Sequence, residues 1–104
     1  MTPTRTDDAT VIADVLAAVR PQFPAFVRDA VFQLRADHTG EPAVWIWLIL
    51  DDDTDVEVGE VQAGLTRVRR TIHDRLMAGG VDRWPFISVR TRSDQQELVA
   101  RGAA

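Results

Sequence analysis

Hydrophobic residues change their spacing repeatedly along this chain, and each change marks an element. Val11, Ile12, Val15, Leu16 and Val19 recur at the interval of one helix face, after the capping candidates Asp7 and Asp8. Pro21 stops that run just past Arg20. Between Ala25 and Ala36 the period shortens to two. Ala30, Phe32, Leu34 and Ala36 share one face and Asp29, Val31, Gln33 and Arg35 the other, which predicts a half-solvated strand. Asp37, His38, Thr39 and Gly40 follow with turn chemistry and predict a hairpin. The next run, Ala43 to Leu50, reads AVWIWLIL. Val44, Ile46, Leu48 and Leu50 lie on one face and Trp45, Trp47 and Ile49 on the other, so neither face is polar.

After Asp51, Asp52 and Asp53, a capping-box pattern at Thr54 and Glu57 predicts the start of a second helix, with acids where its dipole favours them. Val58, Val61, Leu65, Val68, Ile72 and Leu76 form its apolar stripe, and Gly79 with Gly80 offers a left-handed C-cap. Gly59 and Gly64 each weaken that helix by roughly 1 kcal/mol relative to alanine. A third strand is expected from Trp84 to Thr91, with Pro85 suited to an edge. Ser93 and Gln96 then cap a short helical turn through Leu98 and Val99. The expectation is a single α+β domain over residues 1–104, with an ordered core of about 9–91 and a C-terminal tail of 92–104. Its order is helix, strand, strand, helix, strand, with a three-stranded mixed sheet. The two-faced strand belongs in the middle, antiparallel to its hairpin partner and parallel to the third strand across a helical crossover.

That arrangement poses a question of cover. With both helices on one sheet face, Val31, Trp45, Trp47 and Ile49 would face water and form a candidate partner interface. Each tryptophan alone can bury about 150 to 250 Å². Helices on opposite faces would hide the same residues within one chain. A second copy or a different protein would hide them otherwise.

Composition narrows the chemistry. The chain has 45% hydrophobic and 27% charged residues and a net charge of -4, the profile of a folded protein. No apolar run is long enough to span a bilayer, and the start, MTPTRTDDAT, lacks the apolar stretch of a signal peptide, so a cytoplasmic location without membrane association is expected. The absence of cysteine excludes disulfides, thiolate metal sites and a cysteine nucleophile. Every basic residue is arginine, which fits a GC-rich bacterial genome and tempers any inference from arginine number. No G-x-S-x-G elbow or glycine-rich phosphate loop is present, and no cofactor is expected.

Charge is unevenly placed. Residues 37–60 hold eight acids and no base, whereas 67–92 hold seven arginines against Asp74 and Asp82. Arg67, Arg69, Arg70 and Arg75 on the second helix are candidates for contact with nucleic acid or an acidic partner. The carboxylates of 51–60 invite a divalent-cation reading. A calcium loop starting at Asp51 would need glycine and glutamate where Val56 and Gln62 stand, so an acidic helix start accounts for the segment better. His38 and His73, the only histidines, have no second histidine at chelating spacing.

The element order is similar to that of the cytoplasmic domain of cation-efflux transporters, a dimerising metal-sensing module, over roughly residues 9–91. Those domains carry histidine near the start of the second helix, where Glu57 and Glu60 stand here. The order also resembles the type II KH fold of RNA-binding proteins, whose G-x-x-G loop between helices is absent. Topology alone transfers no functional residue. The expected function is therefore a non-enzymatic interaction module, a small homodimeric or partner-bound accessory, regulatory or antitoxin-like protein. A nucleic-acid-binding module using the arginine ridge stands second, and a divalent-metal sensor or metal-dependent enzyme using the acidic segment third.

Overall fold

Local capping chemistry starts the first element where the sequence places it. In the computed structural model, which describes residues 7–102, α1 runs Asp8–Val19 and the Asp7 carboxylate accepts the Thr10 N–H at 3.0 Å. Pro21 converts the chain into a 3₁₀ turn, Arg20–Gln22. β1 runs Val27–Ala36 and begins two residues later than its periodicity suggests, because Val27 N–H closes a turn on the Pro24 carbonyl at 2.9 Å. The hairpin turn is organised by Asp37, whose carboxylate accepts from Thr39 N–H at 2.8 Å and Glu41 N–H at 3.1 Å. Gly40 supplies the left-handed residue at φ 87°.

β2 (Pro42–Leu50) pairs antiparallel with β1 and parallel with β3 (Trp84–Thr91), giving the sheet order β1-β2-β3. The crossover is α2, Gly59–Ala78. Its start differs from the Thr54/Glu57 capping box. Asp55 accepts the Glu57 N–H at 3.0 Å through its side chain and the Val58 N–H at 3.2 Å through its carbonyl, so a local turn outcompetes the first helical turn. The other end matches expectation. Val81 N–H reaches the Leu76 carbonyl and Gly80 N–H the Met77 carbonyl, both at 3.1 Å, with Gly80 at φ 78°. This is the Schellman pattern, and buried Val81 joins Leu76 in the core beneath it.

The C-terminal turn is longer than expected: α3 spans Arg92–Ala100, and the tail's last two residues lie outside the described range. Its cap is Thr91, which accepts the Asp94 N–H at 3.1 Å, and not Ser93. Ser93 instead gives its N–H to Asp52 at 3.0 Å and its hydroxyl to the same carboxylate. That bond fastens α3 to the loop after β2.

Both long helices lie on one side of the sheet. Ile12, Leu16 and Val19 from α1 and Leu65, Val68, Ile72 and Leu76 from α2 close over Val44, Ile46, Leu48 and Leu50. Ile46, Leu48 and Ile72 are completely buried. Each such side chain contributes about 2 to 5 kcal/mol, judged by the usual cost of truncation to alanine. The result is a two-layer α+β domain.

Candidate functional site on the outer face of the sheet

With α1 and α2 on one side, the odd-numbered residues of β2 face the other. Strand parity and register place Gln33, Trp45 and Phe86 in one row across the three strands, and Val31, Trp47 and Ser88 in the next. The aromatic rings use this spacing. Trp45 and Phe86 stack with centroids 4.5 Å apart and planes 16° from parallel, close to the separation of neighbouring strands. From the opposite strand the Arg35 guanidinium lies 4.6 Å from the Trp45 ring centroid. Arg90 lies 4.0 Å from the Trp47 ring centroid.

Both arginines sit diagonally to their tryptophans, since Arg35 is in register with Ala43 and Arg90 with Ile49. Neither makes an ion pair among the described residues; Arg90 donates to the Gln95 side-chain oxygen at 2.9 Å. Their charge is held by ring faces and remains available to an anion. Trp45 and Trp47 are half-buried, as is Val31, and Ser88 is exposed. Ile49 is only 4% exposed, because α3 returns across the carboxyl ends of β2 and β3. Beside α3 a cleft of 470 Å³ opens over Val31 and Ile49, walled by Arg28 and Arg92.

Of the proposed interface residues, Val31, Trp45 and Trp47 therefore lie on the accessible part of one face, while Ile49 is covered by the chain itself. Phe86, Arg35 and Arg90 complete the patch and are absent from the sequence-derived set. Their parity was readable: Arg35 shares a strand face with Val31, and Arg90 alternates against Ile87 and Val89. What was missing was the diagonal offset that lays each guanidinium on a ring.

The α2 arginines are not brought together in the same way. At 100° per residue Arg67 and Arg70 point outward and are exposed. Arg69 and Arg75 fall on opposite flanks of the buried stripe. Arg69 is half-buried with an Nε that has no hydrogen-bond partner among the described residues, and Arg75 lines a groove against Val11 and Asp14 of α1. None of these four makes an ion pair among the described residues.

The acidic segment is partly used in tying the fold. Asp51 takes the Arg28 Nε at 2.7 Å, and Asp52 holds Ser93. The Ser93 hydroxyl and N–H bonds lower the Asp52 pKa below the ordinary aspartate value. Among the described residues no group of three or more His, Asp or Glu side chains is placed to hold a metal ion. His38 is exposed in the hairpin turn, and His73 sits edge-on to Trp84 at 6.2 Å with Nδ1 3.6 Å from Asp74. No helix among the described residues is long and apolar enough to cross a membrane. No family model, curated protein or solved structure matches this chain.

Proposed function

We propose that the chain is a non-enzymatic protein-interaction module, a small accessory or regulatory subunit of the antitoxin-like kind, that docks a second copy or a protein of like surface on the outer face of its sheet. One observation carries this reading: both long helices cover the same sheet face, leaving Trp45, Trp47 and Phe86 on the other, with two arginines that make no ion pair among the described residues laid against the tryptophans. Tryptophan and arginine dominate the energetic centres of protein interfaces. Here they are held in place before any partner arrives, which lowers the ordering cost of binding. Single-stranded nucleic acid fits the patch less well. Bases stack on free ring faces, and Trp45 has Arg35 and Phe86 against it from the strands on either side.

The test is the mass of the protein in solution at low and high ionic strength. Association that weakens with salt, and that Ser88→Glu abolishes at its exposed position beside Trp47 on the edge strand of the face, is the expected result. A strict monomer at both ionic strengths overturns docking of a second copy.

A further inference from the structure

The loop between β2 and α2 is a chemical complement to this face. Asp53, Asp55, Glu57 and Glu60 are exposed and make no ion pair among the described residues. Between them Val56 and Val58 are 43% and 44% exposed, a solvent-facing apolar pair inside an otherwise acidic run. A segment that alternates carboxylates with valines matches a surface that alternates guanidinium groups with indole rings.

Placement agrees with composition. The interface reading above is assumed, and the question is which surface occupies the face. Because α3 covers the carboxyl end of β2 and β3, the open end of the face is that of Arg35, Trp45 and Phe86. When two copies of one sheet stack about a two-fold axis with their strands antiparallel, the carboxyl end of β2 in one copy meets the amino end of β2 in the other. The acidic loop leaves that carboxyl end directly, and its Asp52 is fastened to Ser93 beside it.

We propose that the outer face of one copy receives the segment Asp53 to Glu60 of a second copy, reciprocally, with the loop carboxylates against Arg35 and Val56 and Val58 over Trp45. Both contacts are then made twice in a closed dimer.

The experiment uses two charge-reversed chains, one with Arg35→Glu and one with Asp53→Arg and Glu57→Arg, each weighed in solution alone and mixed. Alone, each sets like charge against like, and the dissociation constant rises about tenfold or more. Mixed, every contact is again complementary, so heterodimers form with near wild-type affinity. The neutral changes Arg35→Gln and Glu57→Gln, combined in a double-mutant cycle, give the same coupling should a reversed chain fold poorly. If Arg35→Glu dissociates the protein while the loop reversal leaves its mass unchanged, or if mixing restores nothing, the loop is not the occupant and this inference falls while the outer-face reading stands. If neither reversal alters the mass, this inference falls, and Ser88→Glu decides separately whether the outer-face reading falls with it.

Discussion

Trp45 carries an indole N–H into a buried position where nothing among the described residues accepts it. A buried donor left unmade costs about 1 to 3 kcal/mol. Trp45→Phe removes that donor while keeping a ring for Arg35 and Phe86, so its unfolding free energy in denaturant titration should stay within about 1 kcal/mol of wild type. Trp45→Ala loses the ring as well and should cost about 3 kcal/mol or more. A Trp45→Phe loss well above about 1 kcal/mol would show that the N–H finds a partner. At Asp52 the decisive quantity is protonation. Its pKa is lowered in the fold by the Ser93 hydroxyl, so the stabilisation is present above the unfolded aspartate value near pH 4 and disappears as pH falls through the lower folded value. Asp52→Asn should flatten that part of an acid-unfolding curve, and an unchanged curve would remove Asp52 from the account.

At the scale of elements, the glycines of α2 have opposite meanings. Gly64 looks from sequence like a weakness, yet a Cβ there would stand 3.1 Å from Phe26 Cζ and 3.2 Å from Pro24 Cγ. It is the point where the helix closes on the turn before β1. That turn is held by its own hydrogen bond and by Asp51 N–H on the Phe26 carbonyl at 3.1 Å, so it cannot easily withdraw. Gly64→Ala should therefore lower the melting temperature, whereas Gly59→Ala, with nothing within 4 Å, should raise it. The reverse order in thermal melts would show that Phe26 moves aside freely. Helix and strand existence was legible because burial imposes periods of 3.6 and 2 on the residues. The start of α2 was not, since Asp55 can serve a turn as well as a helix, and only the folded chain shows which bond forms. The cap of α3 shifted from Ser93 to Thr91 for a related reason, because Ser93 was claimed by an aspartate far away in sequence.

For the molecule as a whole, the third helix divides the outer face into a closed end over Ile49 and an open end at Trp45. A chain ending at Thr91 should expose Ile49, bind a hydrophobic dye more strongly and unfold at lower denaturant. Dye binding equal to that of the full chain would mean that α3 contributes no cover. The sequence by itself determined the elements, their order, the middle place of β2 and the fact that its second face is apolar, because these follow from local periodicity and from the need to bury a two-faced strand. Tertiary structure alone decided that α1 and α2 share a side, that α3 covers one end of the other, and that Arg35 and Arg90 lie on the tryptophans. The physical reason is that periodicity specifies which way a side chain points from its own backbone, whereas the side a helix takes and the diagonal between strands depend on crossover path and register. Those couple residues distant in the chain, as Asp52 and Ser93 show. The apolar strand Ala43 to Leu50 was thus readable from the start, and the guanidinium groups laid on the tryptophans of its outer face were not.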